Sequence, residues 1–341
     1  MKAAWAIGVL LVPGIAAAAP PMTYLVSHGW PAGPIKELGW ALLALSIFVV
    51  LFIAFAVLIG IWLKRGEGEY DEAGRPVLTR GRNGLPLLLY GLPVTVVLLL
   101  LSAIWTFFVL AHAAAPPGHP KITLLVTAHQ WWWEVKYEEA GHPHRSFETA
   151  NEIHVPVGVP VDIHITSADV IHSFWVPQLA GKTDAIPGQV NHAWLEAAKP
   201  GIYRGQCTQF CGLQHAHMAL YVIAQPLHAF DTWWGKQMQA AAVPTGALAM
   251  QGEQEFNQRC AICHSVRGLN GHLGNMGVMG PDLTHLMSRH TIAAGTLPNT
   301  TGNLAGWISN AQAIKPGVDM PTENLTGPQM QALLAYLKTL K

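Results

Sequence analysis

Charge is scarce in this sequence. Only 12% of the 341 residues are Asp, Glu, Lys or Arg, about half of the roughly 25% usual in soluble domains. The charge is also balanced, 20 basic against 20 acidic residues, so no global field attracts a polyanion and nucleic-acid binding is excluded. Four cysteines are too few to staple a small secreted scaffold. No internal repeat recurs, which excludes a propeller or solenoid. Against these absences stand 51% apolar residues, 17 His and 13 Trp. That combination points to a membrane protein with metal or redox chemistry.

Residues 1–18 read as a signal peptide, with Lys2 as a charged start, an apolar run and the small residues Ala16 to Ala19. Leu38 to Leu63 and Leu85 to Ala115 are long uncharged runs. Each exceeds the ~20 residues a membrane span needs, and the spans are placed at 38–63 and 87–113 in a hairpin covering 19–115. Pro86 and Pro93 sit near the start of the second span, where a helix tolerates proline best. The loop between the spans carries Lys64, Arg65, Arg75, Arg80 and Arg82, whereas the segment between the signal peptide and the first span holds only Lys36. The positive-inside rule therefore puts the loop in the cytoplasm and everything after residue 115 outside, which in a bacterium is the periplasm.

Residues 116–226 change character. Short β-rich runs such as Lys121-Ile-Thr-Leu-Leu-Val and Val161-Asp-Ile-His-Ile alternate with turn signals, predicting an antiparallel sandwich or Greek-key barrel. Residues 227–246 read as a linker in which Trp233 and Trp234 pack on a neighbour. Residues 247–341 read as a helical module, with Gly-rich loops between helical segments.

Two constellations carry chemistry. Cys260-Ala-Ile-Cys263-His264 is a C-x-x-C-H run, whose thiols can reach both vinyl groups of one haem while His264 supplies an axial imidazole. Met320 is the expected second axial ligand, with Met276, Met279 and Met287 as competitors; a Met/His pair suits electron transfer. A redox disulfide or a zinc site are the other readings of these thiols. The module lacks a second Cys pair for zinc and a thioredoxin-like βαβ context. The second constellation is the run from Cys207 through Cys211 and His215 to Met218. Thiolates, imidazole and thioether are a copper-selecting set. Two Cys can bridge two copper ions, and His172 is the expected further imidazole. A Cys207–Cys211 disulfide or a zinc site remains open on the residues alone, although Gly205 and Gly212 disfavour the regular helix that i, i+4, i+8 zinc ligation needs. His129, His154, His164, His192, His217, His228, His272, His285 and His290 have no nameable partner in the sequence and are left out of both sites.

Over about residues 35–341 the chain resembles subunit II of haem–copper cytochrome c oxidases, in the bacterial subclass with a fused cytochrome c domain. The motifs that carry the resemblance are Gln130-Trp-Trp-Trp-Glu134, His172-Ser-Phe-Trp-Val-Pro177, Gly181-Lys-Thr-Asp-Ala-Ile-Pro-Gly188 and the Cys207–Met218 loop. The resemblance implies a multidomain membrane protein: a two-helix transmembrane hairpin, a cupredoxin-like Greek-key β domain and an all-α class I cytochrome c domain. It implies a dinuclear copper centre held by His172, Cys207, Cys211, His215, Met218 and the backbone carbonyl of Gln209, and one haem c bound covalently by Cys260 and Cys263. Pro281 resembles the residue whose carbonyl orients His264. Trp131 matches the aromatic residue that the family places between external donor and copper. Asp184 matches a position near the subunit interface.

The function implied is electron input to a respiratory terminal oxidase of the bacterial inner membrane. A soluble donor such as cytochrome c passes electrons through haem c and copper to subunit I, where oxygen is reduced to water; subunit III is a further partner. The other readings are the input subunit of a copper-containing nitric-oxide reductase and, from a different class, a membrane-anchored copper carrier or redox sensor. Two departures from the family pattern stand out. Gln209 replaces a Glu that helps bind magnesium, and Pro86 stands where the family commonly has a Glu near a proton pathway. Proton uptake then uses Glu67, Glu69, Asp71 or Glu72 of the cytoplasmic loop, follows another route, or lies wholly in subunit I. The β segment 116–246 has ten acidic and seven basic residues and the module 247–341 has five and six, so the steering field for a donor is weak.

Overall fold

The computed structural model describes residues 22–63, 72–74, 84–269 and 279–341. The expected signal peptide, Met276, His272 and the acidic loop residues Glu67, Glu69 and Asp71 lie outside the described residues.

Helices α1 (Ala32–Trp62) and α2 (Gly84–Ala113) form the hairpin. At ~1.5 Å per residue both exceed the ~30 Å hydrocarbon thickness. Their apolar side chains face outward, Phe48 at 65% and Leu110 at 61% exposure, as lipid-facing surfaces do. Both helices begin earlier than the uncharged runs suggest. α1 includes Lys36 and Glu37, because a helix extends past the membrane boundary without cost to its backbone hydrogen bonds. Pro93 lies inside α2 and removes one donor there. The hairpin is tied to the β domain by Trp194, whose indole N–H donates to the Ala113 carbonyl at 2.8 Å. Trp30 lies against both His112 and Trp194, at 4.2 and 5.6 Å between centroids.

Ten strands follow: β1 (Ile122–His129), β2 (Trp132–Glu139), β3 (His142–Ala150), β4 (Glu152–Pro156), β5 (Val161–Ser167), β6 (His172–Phe174), β7 (Thr183–Ala185), β8 (Asn191–Leu195), β9 (Gly201–Gln206) and β10 (Ala219–Gln225). They build a five-stranded sheet in the order β3-β2-β1-β5-β8, a three-stranded sheet β4-β10-β9, and a β6-β7 pair. The domain is cupredoxin-like, but its sheets are mixed rather than antiparallel: β1 runs parallel to β5, and β10 parallel to β4. Period-2 alternation reports which face is buried and carries no information on strand direction, so the expected antiparallel pairing needs this correction. Alternation itself is clear in β1 and β5, where every second residue is buried. Leu124, Val126, Ile163 and Ile165 thereby join Trp133, Tyr137 and Phe174 in one core, each contributing about 1.5–3 kcal/mol of burial.

The stretch 227–246 divides. Its first half is α3 (Leu227–Gln237), whose Phe230 and Trp234 are buried in the β-domain core. Trp233 stacks on His154 at 4.1 Å. In the C-terminal module, α4 (Ala247–Arg259) crosses the last helix, Gly327–Leu337. The crossing requires Gly252, since a Cβ there would lie 1.9 Å from the Ala332 carbonyl oxygen.

Candidate copper and haem sites

The ends of β9 and β10 hold the copper loop. Cys207 follows β9, Met218 precedes β10, and the Cys207 N–H donates to the Met218 carbonyl at 2.9 Å, closing the loop at its base. Within it the Cys207 and Cys211 Sγ atoms are 3.7 Å apart. A disulfide requires about 2.05 Å, and both thiols are free, so the disulfide reading does not describe this structure. Each thiol faces its own imidazole: Cys207 Sγ is 3.9 Å from His172 Nδ1 and Cys211 Sγ is 3.6 Å from His215 Nδ1. The Met218 thioether lies 3.9 Å from Cys211 Sγ, and the Gln209 carbonyl 3.3 Å from Cys207 Sγ. All six expected donors therefore converge, with two central sulfurs and one imidazole on each flank. The Cys211 thiol beside it pulls Cys207 down to about 4, and Cys211 is raised by the same neighbour. A set of two thiolates, two imidazoles, a thioether and a carbonyl fits soft copper.

The surroundings fix the ligands. Asp169 Oδ1 stands 2.7 Å from His172 Nε2, which leaves Nδ1 aimed at Cys207. Burial pushes Asp169 up, but His172 and the N–H groups of Val170 and Gln130 outweigh it and hold the carboxyl below its usual range. The Cys211 carbonyl accepts from Gln130 Nε2 at 2.7 Å and from the Trp131 indole at 2.9 Å. Asp169 and Gln130 escaped the sequence-based site. The signal for Asp169 is its place three residues before His172. His217 turns to Gln214, at 2.7 Å, rather than to the thiols. Other histidines find structural partners: Glu134 for His129, Asp162 for His164, Glu152 for His290, and two backbone carbonyls for His285. Asp184 accepts from Ser173 Oγ at 2.6 Å.

At the haem site, Cys260 caps the end of α4, with Cys263 and His264 in the segment that follows. The His264 ring places Nδ1 2.9 Å from the Pro281 carbonyl. A hydrogen bond there leaves Nε2 free for iron, and the protein packed around the ring lowers its pKa and keeps it neutral. Burial pushes the Cys260 thiol up to about 12. Cys260, His264, Pro281 and Met320 line two adjoining cavities of about 180 and 100 Å³, whose other walls include Leu304, Trp307, Ile308 and Leu333. An apolar cleft with paired thiols, a neutral imidazole and a thioether fits haem c. Met279 lines the larger cavity and is 65% exposed, whereas Met287 packs into the module's core.

The larger cavity is bounded on its other side by Gln130, Trp131, Trp132 and Asn151 of the β domain. Trp131 is only 7% exposed. A Cβ on Gly317 would lie 3.6 Å from its ring, so the Lys315–Met320 loop covers it. The chain's own C-terminal module thus lies over Trp131, the residue matched to the family's aromatic position between donor and copper. Lys315 is 2% exposed and spans the junction. Burial pushes its pKa down to about 7, while carbonyl oxygens around its Nζ favour the protonated form.

Fold and sites define a membrane-anchored redox protein with a copper-binding β domain and a haem-binding helical domain. Residues 122–225 match the family described as cytochrome C oxidase subunit II, periplasmic domain, and residues 249–341 match cytochrome c. Cytochrome c oxidase subunit 2 of Alkalihalophilus pseudofirmus is 35% identical over 306 residues, 88% of this chain and 84% of that one. Cytochrome c oxidase subunit 2 of Bacillus sp. strain PS3 is 30% identical over 331 residues, 91% and 90% of the two chains. A crystal structure of the periplasmic domain of subunit II of the Bradyrhizobium japonicum cytochrome oxidase is 32% identical, with a TM-score of 0.32, over 35% of this chain and 95% of that one. The chain belongs to the cytochrome c oxidase subunit 2 family. As a subunit 2 it is part of a cytochrome c oxidase, an oxidoreductase, and so a partner of that oxidase's subunit I. Its cofactors are dinuclear copper and haem c, and its C-terminal part is periplasmic, anchored by the hairpin.

Proposed function

We propose that this chain is the electron-input subunit of a bacterial inner-membrane terminal oxidase, taking electrons from a soluble donor and delivering them to subunit I for reduction of oxygen to water. Haem c and dinuclear copper, when bound, supply the one-electron carriers. The observation that carries the reading is the place of Trp131: its indole donates to the Cys211 carbonyl while its ring borders the cavity of Cys260, His264 and Met320. One side chain thus holds a carbonyl of the copper loop and borders the cavity lined by the haem-site residues.

The proposed copper ligands are His172, Cys207, the Gln209 carbonyl, Cys211, His215 and Met218. The proposed haem ligands are Cys260, Cys263, His264 and Met320. Asp169 holds His172 in one tautomer, and the Pro281 carbonyl does the same for His264. Gln130 and Trp131 fix the Cys211 carbonyl, so the thiol pair keeps its spacing. A scaffold that holds ligands in one geometry through a change of charge lowers the reorganisation that each transfer requires. Tethering the cytochrome module replaces a diffusive encounter with an intramolecular one. With Trp131 covered, the external donor delivers to the haem module, where Ile262 and Met279 are exposed beside Cys263 and Gly280.

The test is purification of the chain with subunit I, followed by optical and electron-paramagnetic spectra and oxygen uptake with reduced cytochrome c. Low-spin haem c, hyperfine coupling to two equivalent coppers and oxygen uptake support the reading. Turnover with nitric oxide and none with oxygen would move the chain to the nitric-oxide reductase reading. Haem without copper would overturn the relay.

A further inference from the structure

The seam between the β domain and the cytochrome module is built around one cation. Lys315 follows the helix Ala311–Ile314, and its Nζ donates to the carbonyls of Trp131 at 3.0 Å, His217 at 2.9 Å and Ala293 at 3.3 Å. The first two belong to the β domain and the third to the cytochrome module. An ammonium has three N–H groups and no acceptor, so three carbonyls from three separate segments satisfy it completely. Ala293 and its neighbour Ala294 hold left-handed backbone, with φ 53° and 55°, a conformation that is strained for an alanine. Their carbonyls face the seam: Ala293 accepts from Lys315, and Ala294 accepts from the Ala219 N–H at 3.0 Å. Gln214 Nε2 also donates to the Pro316 carbonyl at 2.8 Å.

On the far side of the seam, Glu152 of β4 is 2% exposed. It accepts from the His290 and Thr291 N–H groups at 2.6 and 2.9 Å. The two buried charges thus grip opposite ends of the 290–293 segment. Buried charges of this kind serve registry more than net stability. The register matters because Lys315 lies five residues before Met320, on the loop whose Gly317 backbone rests against Trp131. Shifting the loop moves the haem-ligand methionine relative to Trp131 and the Cys211 carbonyl.

We propose that Lys315 is a positioning residue: its three carbonyl contacts hold the cytochrome module in the one docked register that places the Met320 loop against Trp131. This rests on the electron-relay reading for its consequence, but the docking itself is a property of the polypeptide. A neutral side chain of the same reach packs in the slot without selecting the register. Arginine fails too, because its planar fork cannot address three divergent carbonyls.

The experiment uses the copper- and haem-loaded oxidase complex carrying Lys315→Met, Lys315→Arg or Lys315→Ala. Amide hydrogen exchange of peptides covering 217–222 and 289–296 reads docking and needs no metal signal. In Lys315→Met and Lys315→Arg these peptides lose protection while the haem and copper spectra stay unchanged. Haem-to-copper transfer after flash reduction slows several-fold, because the spacing of the two ligand sets is no longer fixed. In Lys315→Ala, millimolar propylammonium fills the vacated slot and restores both protection and rate, a rescue that a purely structural defect would not show. Wild-type protection and rate in Lys315→Met would overturn the proposal. So would loss of the copper spectrum in every variant together with no alkylammonium rescue, because Lys315 would then be holding the loop rather than the register. Wild-type complex lacking the two-copper spectrum would sink the relay reading, yet the exchange data would still decide whether Lys315 docks the module.

Discussion

At the copper site, donors from one loop and one strand already stand 3.3 to 3.9 Å from a neighbouring sulfur. At the haem site, the two thiols, the imidazole and the thioether line cavities rather than touching one another. The β domain therefore builds its site from donors in mutual contact, supported by second contacts such as Asp169 to His172. The cytochrome module instead frames an apolar cleft whose walls carry the donors apart from one another. Rigidity comes from sheet hydrogen bonds in the first case. In the second it depends on a helix crossing whose closest approach, at Gly252, allows no side chain at all.

The sharpest way to break this comparison is Cys207→Ser. It changes one atom in a fully packed site, so the fold should persist by circular dichroism. The two-copper electron-paramagnetic spectrum should vanish completely while haem absorbance stays. On the other side, Gly252→Ala drives a methyl into the Ala332 carbonyl and should cost about 3 kcal/mol, the upper end for overpacking. Haem content of the purified chain should fall with no change in copper spectrum.

A third test separates the domains by pH. Burial lowers His154 from 6.5 to about 4. The unfolded chain takes up this proton near pH 6.5 and the folded chain resists until about 4. The neutral ring's contribution is therefore complete above 6.5 and is lost as pH falls from 6.5 to 4, at most roughly 3 kcal/mol at 1.36 kcal/mol per unit. The acid-side drop in the β domain's thermal midpoint should shrink in His154→Leu, and an unchanged profile would assign it elsewhere. Asp169→Asn sharpens the copper side: the donors remain, but His172 loses its orienting charge, and copper affinity measured by chelator competition should fall ~10-fold. The smallest effect is expected at the left-handed Ala294. Ala294→Gly removes left-handed strain and should raise the thermal midpoint by an amount equivalent to about 0.5–1 kcal/mol.

What was legible in the sequence follows from distance along the chain. The copper donors Cys207 to Met218 and the haem run Cys260 to His264 are local, so spacing alone gathers them. The two hydrophobic helices are equally local, needing only length and absence of charge. The role of Gly252 was not legible, because the carbonyl it makes room for belongs to Ala332, 80 residues further on. The parallel pairing of β1 with β5 was not legible, because alternation encodes faces and not directions. Neither were Glu152 and Lys315, whose partners lie 138 and 184 residues away in sequence. Both look like ordinary surface charges until the domains meet. Trp131 was found by its motif, but its burial depends on the same meeting.

The depth of Glu152 has a consequence for ionic strength. Its oxygens are gripped by backbone N–H groups and lie 2% open to solvent, so mobile ions cannot enter between the partners. Exposed charges on two colliding proteins are screened over about 8 Å at physiological salt. One chain therefore contains two couplings of opposite character. Raising sodium chloride should alter the bimolecular rate at which an external carrier is oxidised and leave the internal rate flat, so a single salt titration tells which of the two limits turnover.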